Sequence, residues 1–251
     1  AGLGILAKRV DGVDEIRKAA REALRQGAHH LKIFVSGGIA SPSDPIWMLQ
    51  FCEDEIRAVV DEAARRRAYV AAHAYTAETI ERAVRLGVRT IEHGNLIDGK
   101  TAKIVAEANA FVVPTLATYE AFHRSGKEEG AAEHLLKKLD EVRSQGLEAI
   151  RLCREAGVKL GFGTDLLGPL HVHQRDEFLL RSEVESPFEI LNSATAINAE
   201  IIGRSGELGT VAEGAFADFL VIDGDPLDDI RLLAPDSRAI AEVWKNGARV
   251  Q

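Results

Sequence analysis

The stretch "YVAAHAYTAETIERAVRLGVRTIEHG", residues 69–94, decides the fold. It opens on an apolar β-type run, "YVAAHA". Thr76 then stands where a helix N-cap belongs, ahead of "AETIERAVRLG", which has Glu78 in its first turn and Gly87 at its end. "VRTIEHG" returns to β-type sequence. Strand, helix and strand in this order make a parallel crossover unit.

The same unit repeats outward in both directions. Upstream, "VDEIRKAAREALRQG" puts Val13, Ile16, Ala19, Ala20, Ala23 and Leu24 on one helical face and stops at Gly27, ahead of the strand "HLKIFVSGG". "EDEIRAVVDEAARRRA" is a second amphipathic helix, acidic in its first turn. Downstream, "GKTAKIVAEANA" leads into "FVVPTLATY", a polar excursion covers residues 120–135, and the helix "KKLDEVRSQGLEAIRLCREAG" precedes "VKLGFGTD". Ser186-Pro187-Phe188-Glu189 is a capping box with proline at the first helical position, opening "EILNSATAINAEIIG". Five strands are predicted near residues 30–36, 68–73, 88–93, 110–116 and 158–164, each after a helix. The class is α/β, with a parallel sheet covered on both faces. From about Arg204 the texture changes: "GELGTVAEGAFADFLVIDGDPL" and "AIAEVWKNGARV" are short strands with glycine turns and predict a small antiparallel unit. The expected division is therefore residues 1–203 and 204–251.

Composition narrows the function. A chain of 251 residues, 46% hydrophobic, can bury a sizeable core. Its 31 basic against 39 acidic residues give a formal charge of −8, and its longest basic run is Arg65-Arg66-Arg67, which argues against nucleic acid or an anionic membrane as partner. The two cysteines, Cys52 and Cys153, stand far apart and form neither a CxxC pair nor a disulfide framework, so a reducing cytoplasm is the default expectation. No apolar run reaches the roughly 18 residues of a transmembrane helix. The start, "AGLGILAKRVDGVDEIRK", has no initiator Met and no secretory pattern, which leaves an upstream signal open.

The chemistry-bearing residues lie at strand ends: Lys32 within "LKIFVSGG", His73 ending "YVAAHA", His93 in "VRTIEHG" and Asp165 ending "VKLGFGTD". In a parallel α/β barrel, side chains from separate strands converge at the C-terminal ends of the strands. Taken singly, each residue has an ordinary reading: a strand histidine in the rim, a lysine whose head reaches solvent, an aspartate capping the next segment. Those readings do not explain why all four fall at the same end of successive strands. The joint pattern predicts one shared metal site.

These residues also carry a family resemblance. Lys32, His73 in "HAYT", His93 in "IEHGN" and Asp165 in "GFGTD" resemble the second half of the amidohydrolase superfamily signature, and "GTVAEGAFADFLVIDGDPLDD…AEVWKNGARV" is similar to that superfamily's C-terminal β segment. "KIFVSGG", "SPSDP", "RTIEHGNLID" and "PTLATY" look most like the metal-dependent dipeptidase branch, which acts on Xaa-Pro substrates as prolidases do. The resemblance implies a (β/α)8, TIM-barrel-type fold, here its last five β-α units, followed by part of a small β-sandwich domain. It implies two divalent cations, usually zinc, bridged by a carbamate that carbon dioxide forms on Lys32. His73 and His93 would ligate the second metal, and Asp165 would bind the first and shuttle protons. A buried, desolvated lysine fits that role, because its neutral amine can take up carbon dioxide and become an anionic two-oxygen ligand. The implied activity is amide hydrolysis by a metal-activated hydroxide on a dipeptide, an N-acyl amino acid or a similar small molecule.

The chain departs from the signature in one place. The His-x-His of the family's first barrel strand has no counterpart upstream of Lys32, so the expectation is a C-terminal portion with an incomplete site. His171 and His173 do not replace that pair, since they follow "LLGP" and lead into a helical pattern, where residues two apart diverge. His173 is instead a candidate for substrate contact, as are Tyr75 and Tyr119. His29 and His30 are read as a connection, and Gly37 and Gly38 as a tight turn. Two alternatives stay open: a cyclic amide or imide hydrolase, imidazolonepropionase-like, and a non-catalytic chain that packs with a partner. A homo-oligomer is also compatible with the sequence.

Overall fold

The computed structural model describes residues 7–39, 41, 43–128 and 132–251. Part of the "SPSDP" motif and the start of the chain lie outside that set. Among the described residues, five parallel strands, β1 (His30–Phe34), β2 (Tyr69–Thr76), β3 (Thr90–Leu96), β4 (Phe111–Val113) and β5 (Lys159–Leu160), line up in chain order β1-β2-β3-β4-β5. The helices that connect or precede them are α1 (Gly12–Arg25), α2 (Glu53–Ala64), α3 (Ala77–Arg85), α4 (Gly99–Glu107), α5 (Leu116–Glu128), α6 (Glu133–Arg143) and α7 (Gly146–Ala156). The crossover read from residues 69–94 is β2-α3-β3. Thr76 Oγ1 accepts from the Thr79 amide at 3.4 Å, as an N-cap does.

The core lies between sheet and helices. Val70, Ala72 and Ala74 of β2 pack with Ile80, Ala83 and Val84 of α3, and with Ile91 and Val112 of the neighbouring strands. Glu62 is buried between α1 and α2, bound by Arg21 and Arg17 at 2.7 Å each.

Three departures from the sequence reading have local causes. Residues 120–128 and 133–135 are helical, in α5 and α6, because Tyr119, Leu139 and Val142 form a buried cluster with Ile46 and Tyr75. Ion pairs His123–Asp140 (2.9 Å) and Arg143–Glu120 (2.6 Å) join the two helices across the gap. Apolar positions too sparse to mark a helix suffice once both helices share one cluster. The predicted strand at 158–164 shortens to Lys159–Leu160; Gly161 still donates to Val112 O at 2.8 Å, but side chains then replace the ladder. The segment opened by the Ser186–Glu189 capping box is α9 (Pro187–Asn192), a π-helical turn (Ser193–Ile197) and α10 (Asn198–Ile201), where one helix was expected. A short helix, α8 (Asp176–Arg181), precedes it.

Beyond residue 204, β6 (Phe219–Ile222), β7 (Ile240–Lys245) and β8 (Ala248–Arg249) form an antiparallel sheet in the order β6-β7-β8. No described helix is long and apolar enough to cross a membrane.

Candidate active site

His73 and His93 are both buried, with ring centroids 4.8 Å apart. Strand alternation alone would forbid this pairing. His73 sits in register with Glu92, and His93 with Ala74, so on a regular strand Glu92 and not His93 would share the face of His73. The backbone of His93 breaks the alternation: its φ is 81°, that of Gly94 is 71°, and the β2–β3 register shifts just beyond. Glu92 and His93 are thereby both brought toward the site. Both histidines lie within their strands, not at the last residues, because β2 runs on to Thr76 and β3 to Leu96.

Thr115 at φ 52° and Asp165 at φ 51° follow the ends of β4 and β5 in the same left-handed region. Non-glycine residues occupy that region seldom, and a β-branched threonine still less, so Thr115, Asp165 and the internal His93, on three successive strands, mark a site held under constraint. Thr115 Oγ1 lies 2.8 Å from His93 Nδ1. With the proton on Nδ1, the lone pair is on Nε2, which faces Asp165 Oδ2 at 3.9 Å. His73 Nε2 is engaged by Gly37 O at 3.1 Å, which leaves Nδ1 as its lone-pair nitrogen. Tyr75 stacks on His93 (5.2 Å) and meets His73 edge-on (4.8 Å), while Tyr119, in the first turn of α5, lies 6.0 Å from His93. The Tyr119 hydroxyl is buried, with the hydroxyls of Tyr75 and Thr115 beside it.

Burial sets the electrostatics. It pulls His73 down to about 4, against the Gly37 carbonyl, with Lys32 adding to the shift. His93 falls well below the usual histidine range through burial first, then His73 and Lys32. Both rings are neutral near pH 7. Burial raises Asp165 above the ordinary aspartate value while Lys32 draws it down, and raises Glu92 against its Thr90 hydrogen bond and Lys32. The phenols of Tyr75 and Tyr119 are pushed upward by burial and stay protonated.

Lys32 departs from expectation. It is exposed, not buried, because β1 is the edge strand of the sheet and nothing covers its outer side among the described residues. Its ammonium lies 5.8 Å from the Phe34 ring centroid. The desolvation invoked for carbamate formation therefore does not act on it in this chain. Gly37 and Gly38 also differ from the tight-turn reading, since neither has positive φ. A Cβ on Gly37 would stand 1.9 Å from Pro45 O, so close backbone approach is what requires glycine there. His173 ends a 3-10 turn (Gly168–His173), where its Nδ1 pairs with Asp176 Oδ2 at 3.1 Å. The structure gathers His73, His93, Tyr75, Tyr119 and Asp165, places Lys32 at the edge within electrostatic reach, and gives His173 a separate partner.

Two neutral imidazoles and a partly exposed carboxylate are donors that zinc and similar divalent cations accept. They fit part of a metal centre: among the described residues no three His, Cys, Asp or Glu side chains converge as a ligand group. Sequence reasoning missed Glu92, hidden by alternation beside His93, and Thr115, whose signal is the hydroxyl just after Pro114 at a strand exit.

The comparisons agree with this architecture. The chain belongs to the amidohydrolase family, whose model matches residues 1–250. It is 31% identical over 240 residues to the ochratoxinase of Aspergillus niger, across 94% of this chain and 49% of that protein. The crystal structure of a prolidase complexed with N-methylphosphonate-L-proline superimposes with a TM-score of 0.96 at 49% identity, covering 99% of this chain and 61% of the other. A Xaa-Pro dipeptidase with methionine bound in its active site gives 0.85 at 30% identity, with 96% and 59% covered. The chain thus spans about half the length of the curated relatives it matches.

Proposed function

We propose that this chain carries part of the machinery of a metal-dependent hydrolase that cleaves an amide bond in a dipeptide or N-acyl amino acid, with Xaa-Pro dipeptides the first candidates. The observation that supports it most is the pairing of two buried, neutral imidazoles, His73 and His93, with Asp165 3.9 Å from the second. Similarity to a prolidase and a Xaa-Pro dipeptidase favours the dipeptide substrate. In this reading the five β-α units belong to a (β/α)8 barrel, and residues 204–251 to a small β domain.

Divalent cations, zinc foremost, would supply Lewis acidity at the scissile carbonyl and lower the pKa of water. His73, His93 and Asp165 would hold them, with Lys32 joining as a carbamate where its edge is covered. Asp165 is the proton carrier. Its carboxylate, half exposed and more basic than an ordinary aspartate, can accept a proton during attack and return it to the leaving amine. Tyr75 and Tyr119, both protonated, can donate to a substrate carbonyl or carboxylate. His173 would contact substrate only from the rim, where its Nδ1 pairs with Asp176.

The test is direct. The purified chain, supplied with zinc and bicarbonate, is assayed on a panel of Xaa-Pro dipeptides beside cyclic imides, with bound metal measured on the same sample. Metal uptake with dipeptide turnover supports the reading; a preparation that neither binds zinc nor cleaves any dipeptide overturns it.

A further inference from the structure

We propose that Arg181 and Glu177, one turn apart on α8, are positioning residues that clamp together the two chain segments meeting at Asp165. Both side chains are fully buried. Arg181 holds the first segment: its Nη1 donates to Gly161 O at 2.8 Å, its guanidinium lies over Phe162 at 5.5 Å, and the chain reaches Asp165 through Gly163 and Thr164. Three more of its donors are satisfied behind it, by Glu185 at 2.6 and 2.8 Å and by Ser193 Oγ at 2.9 Å. Glu177 holds the second segment. Its Oε2 accepts from the Ala117 amide at 2.7 Å, at the start of α5, and the adjacent Thr118 donates through Oγ1 to the carbonyl of Asp165 at 3.3 Å. Asn198 closes the arrangement by bonding Phe162 N and O, at 2.9 Å each, where strand pairing has ended.

The energetics argue for position over packing. Burying an arginine with carboxylates costs several kcal/mol per ion before pairing, and apolar replacements of such groups are often neutral or stabilising. A helix that needed only to pack would be served by leucine at these places. What the ionic groups give is direction, since the planar guanidinium fork fixes its carboxylate and carbonyl partners in one geometry. Asp165 needs such direction: at φ 51° it holds a conformation that persists only where the surroundings over-determine it. The buried oxygen of Glu177 that lacks a partner, Oε1, fits the same account, for the carboxyl is held where it serves Ala117 and not where it is best solvated.

The catalytic part of this inference rests on Asp165 as proton carrier; the structural part does not. Amide hydrogen exchange on the whole chain reads the structural part. Exchange at Gly161 and Phe162 should quicken about tenfold or more in Arg181→Lys, and at Ala117 in Glu177→Ala, while Val70 and Ile91 in the central strands keep their protection. Glu177→Gln, whose amide oxygen still accepts, should restore Ala117. Unchanged exchange at those amides, or equal acceleration through β2 and β3, overturns the clamp. Arg181→Met is the harsher variant, and if it fails to fold, Arg181→Lys decides, because it keeps the charge and loses the fork. Turnover reads the catalytic part: Arg181→Lys should lower kcat about tenfold or more with KM within about twofold. A rise in KM at unchanged kcat overturns the link to Asp165. If the unmodified chain shows no turnover, the functional reading fails, and the exchange data still decide the clamp.

Discussion

The imidazole of His93 and the hydroxyl of Thr115 meet at 2.8 Å, although both backbones stand at positive φ to achieve it. The contact holds the ring in one orientation, with Nε2 toward Asp165. Thr115→Val keeps the branched shape and deletes only the hydroxyl. It should lower zinc affinity or turnover about 10- to 100-fold, the usual cost of losing a partner behind a metal-ligating histidine. Thr115→Ser should recover most of the loss. Calorimetric zinc titration of the three proteins checks this, and equal affinities would show that the contact orients nothing.

Asp165→Asn tests the proposed proton carrier with little structural disturbance, since the side chain is half exposed and its carboxylate accepts no hydrogen bond from the described residues. Turnover should fall by about 10²- to 10⁴-fold, the range for removing a positioned acid–base group, with the midpoint of thermal unfolding nearly unchanged. Parallel measurement of kcat and of the melting curve separates the outcomes. A variant that keeps its turnover removes Asp165 from the chemistry.

Gly37 joins the loop to the site. Its carbonyl holds His73 Nε2 at 3.1 Å, and Lys138 on α6 gathers the carbonyls of Ser41 and Asp44 at 2.8 Å each to keep the loop in place. Gly37→Ala drives a methyl into Pro45 O and should cost about 1–3 kcal/mol as overpacking, with the His73 contact displaced. Gly38→Ala meets His73 Nε2 only at 3.7 Å, an ordinary contact, and should fold as the parent does. Urea unfolding of both variants decides, and equal stabilities would sink the argument.

The crossover order was legible in the sequence because periodicity and caps report the local chain: Thr76 and the Ser186–Glu189 box act as read, and the five strands come in the predicted order, the last two shorter than read. His73, His93 and Asp165 were legible as strand-end chemistry. Glu92 and Thr115 were not, since their role depends on backbone torsions that no spacing rule encodes. The exposure of Lys32 was missed because burial is a property of the neighbours of β1 and not of its own residues. Arg181 was hidden differently. Glu177, Arg181 and Glu185 recur at helical spacing like a solvated ion-pair stripe, and only the packing of α8 against the exit of β5 turns that stripe inward.

The inward stripe carries a pH signature. Burial raises Glu177 to about 7, with Glu185 adding to the rise, while Arg181 and the Ala117 and Leu116 amides oppose it. The folded-state value lies above the ordinary glutamate value of 4.5, so the folded protein binds the proton more tightly than the unfolded chain. The resulting stabilisation is fully present below the unfolded value and is lost as pH rises through about 7, amounting to about 3 kcal/mol at most. Glu62, held to about 2 by Arg21 and Arg17, has the opposite sign and weakens the fold only as pH falls below 4.5. Its contribution is therefore constant across the window in which Glu177 titrates. Glu177→Gln cannot release a proton and keeps an acceptor for Ala117. The stability of Glu177→Gln relative to the parent should climb between about pH 4.5 and 7 and then level off, as followed by urea unfolding in that range. A difference that stays flat with pH would mean that Glu177 remains ionised throughout, with Arg181 neutralising it more fully than the cost of burial demands.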